Sequence, residues 1–184
     1  MRHALVRWAG AVAVAVVVAL APPWVLAQES KTSALVGELV RLMDAAKVGS
    51  IAAPSPSARD RFVAALYFAG SQLLVVSARY SAPQLLADKL AKKSYQDIYI
   101  DLNSAYVPNS KIFISDLGAD GLKAKRKPNE PYDTVEMNGR TTAFDGDWGK
   151  AKMSETEYMG VFTSAEDEYV KILQALIAQL KKPA

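Results

Sequence analysis

The residues with the clearest chemical potential surround Arg79. The stretch Ser77-Ala78-Arg79-Tyr80-Ser81 leaves an apolar run and leads into Pro83 and a leucine-spaced segment. If the run is a strand, Ser77 and Arg79 share a face, because side chains alternate along it. Ser81 is a fair N-cap, and Pro83 is tolerated in a first helical turn. A helix starting there offers free N–H groups and partial positive charge, and Arg79 adds a fork of donors. Ser77, Arg79 and Ser81 are therefore the expected binding residues for a small anionic ligand. The plainer alternative is an Arg79 paired with a surface carboxylate.

Other polar groupings read differently. Asp116-Leu-Gly-Ala-Asp120-Gly121 starts like a calcium loop, but Gly118 and Lys127 fall at the third and twelfth positions, where oxygen ligands are required. A turn in which Asp side chains bond their own backbone and Gly supplies positive φ fits better. Asp145-Gly-Asp147 fails the same test, with Gly149 and Lys150 at its fifth and sixth positions. No metal site is expected. The basic run Lys123, Lys125, Arg126, Lys127 and the group Lys89, Lys92, Lys93 read as solvated surface. Asp97, Tyr99 and Asp101 alternate on one strand face; paired carboxylates can do acid–base work, but no nucleophile accompanies them, and no catalytic residue is assigned.

Composition narrows the chemistry further. The chain of 184 residues has no cysteine, and its one histidine is His3. Residues 1–27 combine Arg2 and Arg7, the apolar run Trp8–Ala21, Pro22-Pro23 and Trp24-Val25-Leu26-Ala27. That is a secretory signal pattern, with cleavage expected after Ala27 and a periplasmic or secreted product. The alternative is a retained anchor, since Trp8–Ala27 is long enough to span a bilayer. Removing those 27 residues from 184 leaves 157, a single-domain length for 28–184. It also removes two of 22 basic residues, so 20 face 19 acidic ones and the net charge falls to +1. Nucleic acid is not an expected partner. Without imidazole or thiolate, the processed chain has no usual zinc site, no His or Cys haem ligand and no Ser-His or Cys-His nucleophile.

The elements that must position these residues follow from pattern. Leu35, Leu39, Leu42, Met43 and Ala46 share a helix face, capped by Thr32 or Ser33 and stopped near Gly49. Val48–Ala53 is a short strand, and Pro54-Ser55-Pro56-Ser57 a loop. Phe62–Phe68 and Leu73–Tyr80 flank Ala69-Gly70-Ser71-Gln72 as a hairpin, their unbroken apolar character predicting burial on both faces. A short helix with Leu86 and Leu90, then strands Asp97–Leu102 and Lys111–Asp116, come next. Asn138-Gly139 joins Tyr132–Met137 to Arg140–Phe144 as a second hairpin. Ser154 and Glu157 form a capping box for a short helix. A last helix over 164–182, beginning at Thr163 or Ser164, carries the stripe Tyr169, Ile172, Leu173, Leu176, Ile177 and Leu180.

The order of Val48–Ala53, Phe62–Phe68, Leu73–Tyr80, Leu85–Leu90 and Ile98–Leu102 resembles the FMN-binding split barrels of the pyridoxamine 5′-phosphate oxidase-like group over Leu35–Leu117. Ser77-Ala78-Arg79 is similar to that family's Ser/Thr-x-Arg strand end, while Ala82-Pro83-Gln84 stands where its nearby Lys is expected. The resemblance implies FMN as a possible cofactor, with its phosphate at the helix start, and a homodimer. The expectation is one exported α+β domain: a small, partly closed antiparallel barrel or curved sheet covered by helices. Its expected role is binding a small anionic ligand; a flavin-dependent oxidoreductase and an envelope interaction module are the alternatives.

Overall fold

An up-and-down run of neighbouring strands builds the sheet, each pairing antiparallel with the next. The structure, a computed structural model, describes residues 30–79, 110–123 and 132–182. The expected leader, Tyr80, Ser81, the helix after it, the strand Asp97–Leu102 and Lys125–Lys127 lie outside the described residues. Helix α1 spans Ser33–Ala46 and is followed by β1 (Ser50–Pro54), β2 (Arg61–Phe68), β3 (Gln72–Arg79), β4 (Ile112–Leu117), β5 (Thr134–Met137) and β6 (Arg140–Ala143). Helix α2 spans Glu155–Leu180. Strand order equals chain order in this six-stranded sheet, so the protein is α+β with a curved, unclosed antiparallel sheet and two described helices. Among the described residues β1 and β6 do not pair to close it, and no helix is long and apolar enough to cross a membrane.

The β2–β3 hairpin lies inside the sheet, with β1 on one side and β4 on the other, as its composition predicts. Phe68 pairs with Gln72, so the connection is Ala69-Gly70-Ser71 and Gln72 already belongs to the strand. Gly70 takes φ +74°, which a three-residue hairpin loop needs and glycine supplies without strain. Val63, Ala65, Leu73 and Val75 face one way and join Ile112, Ile114 and Val135 in the larger core. Phe62, Ala64, Leu66, Leu74, Val76 and Ala78 face the other way and form a second buried cluster. Burial on both faces explains why neither strand alternates between apolar and polar residues. Asn138 and Gly139 both adopt positive φ between β5 and β6, as that dipeptide predicts.

Helix α1 starts where expected, with Thr32 at its N-cap position, but its capping and its stop differ from expectation. Thr32 precedes α1 but makes no side-chain cap; its hydroxyl instead accepts the Leu122 N–H at 3.0 Å. The helix also stops before Gly49: Lys47 turns left-handed at φ 54°, and the Val48 N–H closes on the Met43 carbonyl at 3.0 Å. At the C-terminal end, the expected pair of helices is one helix of 26 residues, about 39 Å long. Gly160, Thr163 and Ser164 look like a break, but Tyr158, Phe162, Ala165, Tyr169, Ile172 and Leu176 form one continuous buried stripe through them. Burial of that stripe outweighs the few tenths of a kcal/mol by which Thr and Ser disfavour a helix interior.

The start of α2 is the predicted capping box. Glu157 N–H donates to Ser154 Oγ at 3.3 Å, and Ser154 N–H donates to Glu157 Oε2 at 2.9 Å. Ser154→Ala should therefore cost about 1 kcal/mol, read as a lower denaturation midpoint with an unchanged denaturant slope. One turn on, Tyr158 pins α2 to the second hairpin. Its hydroxyl donates to the Ala143 carbonyl at 2.7 Å and accepts the Gly146 N–H at 2.9 Å. Phe162 stacks on Phe144 with ring centroids 4.0 Å apart.

Candidate functional site

The two rims of the sheet are chemically unlike. One rim carries the connection after β4 and is held by buried carboxylates. Asp116 is fully buried; Oδ1 accepts the Asp120 N–H at 3.0 Å, and Oδ2 accepts the Gly121 N–H at 2.9 Å and the Tyr169 hydroxyl at 2.9 Å. Asp133 accepts the Leu117 N–H on Oδ1 and the Lys123 N–H on Oδ2, both at 2.8 Å. Ser33 Oγ donates to the Asp120 carbonyl at 2.8 Å, and Ser30 and Thr32 bond through their hydroxyls beneath Gly121. Burial, reinforced by the negative charges of Asp116 and Asp133, pushes the Tyr169 phenol well above its ordinary range.

This is the Asp-bonded, positive-φ turn expected of Asp116–Gly121, extended by Asp133 and Tyr169. Its carboxylates are engaged by backbone donors, so its work is to fasten the loop to α1 and α2. Asp145 and Asp147 behave similarly: they accept the Asp147 and Lys150 N–H groups at 3.0 and 2.8 Å. Among the described residues no three potential metal-ligating side chains of His, Cys, Asp or Glu type gather.

The opposite rim holds the predicted anion residues. Arg79 ends β3 opposite Arg61, with its side chain 50% exposed and its Nε 3.4 Å from Asp60 Oδ2. The surface carboxylate pairing named as the alternative is thus present. Ser77 lies on the same strand face but is fully buried, and its Oγ has no hydrogen-bond partner among the described residues. Ser81 is outside the described residues, so the three are not seen assembled around one point.

Sequence reasoning missed the rest of this rim. Glu168 faces the sheet from α2 with its side chain only 8% exposed. Ser57 Oγ donates to its Oε2 at 3.1 Å; Lys111 Nζ lies 3.4 Å from Oε1 and Lys171 Nζ 3.5 Å from Oε2. Lys111 also ties the group to β3, its N–H donating to the Ser77 carbonyl at 2.7 Å. Burial works to raise the Glu168 pKa, but the Ser57 hydrogen bond and the two ammonium groups together bring it below the ordinary carboxylate value. The available signal was an acid inside an apolar stripe, between Ala165 and Tyr169 and Ile172. What the sequence could not supply is the set of partners, which come from the β1–β2 loop and the approach to β4. Chemically, the rim offers cations and hydroxyls suited to a small oxyanion.

In comparisons with known proteins, no family model, no curated protein and no solved structure matches this chain.

Proposed function

We propose that the chain is an exported binding domain, periplasmic or secreted and without catalysis of its own, that receives a small anionic ligand at the Arg79 rim. The observation that carries this reading is the placement of a half-exposed Arg79 at the end of a buried strand, held by a still more exposed Asp60. An exposed ion pair of this kind is worth about 0–1 kcal/mol, so an incoming phosphate or carboxylate displaces Asp60 at little cost. Ser81, two positions further along the chain, completes the proposed phosphate contact, while Ser77, fully buried, stays out of the ligand's reach. The likeness of element order to split barrels keeps FMN as a ligand of this class.

Arg79→Ala should weaken binding of inorganic phosphate or FMN about tenfold, the worth of one charged hydrogen-bonding partner, without unfolding the domain. Calorimetric titration with each ligand, together with circular dichroism of the variant, reads both quantities. Equal affinity in Arg79→Ala would remove the site. A yellow protein as purified would favour the flavin-dependent oxidoreductase on the same scaffold. Native mass spectrometry reports bound small molecules and the proposed homodimer together.

A further inference from the structure

Glu168 occupies the position that a bound anion would take. Its carboxylate gathers Ser57 from the β1–β2 loop, Lys111 from the approach to β4 and Lys171 from the next turn of α2. A hydroxyl and two ammonium groups converging from separate elements are a donor set for a phosphate-like oxyanion. An internal carboxylate satisfies that set loosely. The lysine contacts, at 3.4 and 3.5 Å, are longer than the roughly 2.7–2.9 Å of a strong charge-assisted bond. Among the described residues Glu168 Oε1 is buried with no hydrogen bond, as is the Ser77 hydroxyl on the sheet face that α2 covers. The two lysine side chains remain 43% and 56% exposed, so solvent anions reach them.

We propose that Ser57, Lys111 and Lys171 form an anion-binding triad and that Glu168 is its built-in competitor. The ligand class is a small, multiply charged oxyanion, with a phosphate monoester as the type. A dianion attracts the two ammonium groups more strongly than a single carboxylate does, and Glu168 opposes it by repulsion. The Arg79–Asp60 pair stands at the same rim. This inference rests on the anion-binding reading above but gives the ligand different primary contacts.

The test is calorimetric titration of inorganic phosphate into the purified protein at neutral pH and low salt. Glu168→Gln should bind phosphate about tenfold more tightly than wild type, the effect of removing one like charge some 5 Å from a dianion in a largely aqueous setting. Adding Lys111→Ala to that variant should cancel the gain. Unchanged affinity in Glu168→Gln, or a gain that survives Lys111→Ala, overturns the proposal. Should Glu168→Gln fail to fold, Glu168→Asp keeps the charge and withdraws it from the lysines; a gain of about threefold is then expected, and none overturns the proposal. Phosphate binding that depends on Arg79 but ignores Glu168 would leave the anion-binding rim in place and remove the triad.

Discussion

Gly121→Ala should destabilise the protein by about 2–4 kcal/mol, from left-handed backbone strain and overpacking together. Gly121 has φ +93°, a region that residues with a side chain rarely adopt. A Cβ there would stand 2.7 Å from Ser33 N, 2.7 Å from Thr32 Oγ1 and 2.9 Å from Ser30 Oγ. Two of the three obstacles are short hydroxyl side chains and one is backbone, and all three belong to the entry into α1. Relief of the clash has to move that entry away from the loop. Doing so breaks the Leu122 N–H bond to Thr32 and the Ser33 bond to the Asp120 carbonyl. Urea denaturation should show the midpoint falling with an unchanged slope, and a midpoint within error of wild type would mean that the loop is not clamped in this way.

Asp116→Asn should cost a similar 2–4 kcal/mol, although it changes one oxygen to nitrogen and almost no volume. Three donors converge on the Asp116 carboxylate: the Asp120 N–H, the Gly121 N–H and the Tyr169 hydroxyl. An amide has one acceptor oxygen, so at least one buried donor would face the amide NH₂ and lose its partner. Removing a partner from a buried polar group costs about 1–3 kcal/mol, more where a charge strengthened the bond. Tyr169→Phe takes away one donor instead and leaves the two backbone bonds, so it should cost less. An Asp116→Asn variant as stable as wild type would show that these donors find other acceptors.

Acid should act on the other rim through Glu168. Its folded pKa lies below the ordinary value, so the folded state holds the charged form more tightly than the unfolded chain does. That contribution is present in full above the ordinary carboxylate range and is lost as pH falls through the lowered pKa. Replacing Glu168 with Gln should flatten the acid limb of the stability profile relative to wild type. An acid limb that is identical in Glu168→Gln would assign it to other carboxylates.

What could be read from the sequence depended on how far each residue's partner lay along the chain. The β2–β3 hairpin, the Asn138-Gly139 turn and the Ser154/Glu157 box were legible because each is decided within a few residues. The turn at Asp116–Gly121 was legible for the same reason, since Asp116 bonds the N–H groups of Asp120 and Gly121. Thr32 takes the N-cap position expected of it or Ser33, but its hydroxyl bonds no helix N–H, because its partner, Leu122, is 90 positions away. Tyr169 belongs to the expected apolar stripe, yet nothing local says that its hydroxyl meets Asp116, 53 positions away. The break expected before Thr163 followed local helix propensity, which long-range burial of Phe162 and Ala165 overrode. Among the candidate site residues, the exposed position of Arg79 was foreseeable from its place at a strand end. The sealed position of Ser77 was not, because it depends on where α2 crosses the sheet.

One rim of the sheet fastens the fold, and the other is proposed to bind an anion. Thermal unfolding with and without saturating inorganic phosphate tests that division on three proteins. Phosphate should raise the midpoint of wild type, since a ligand that binds only the folded state stabilises it. It should raise that of Tyr169→Phe by the same amount from a lower starting point, and that of Arg79→Ala by clearly less, the consequence of a tenfold weaker affinity. An Arg79→Ala protein that keeps the full phosphate shift, or a Tyr169→Phe protein that loses it, would contradict the division.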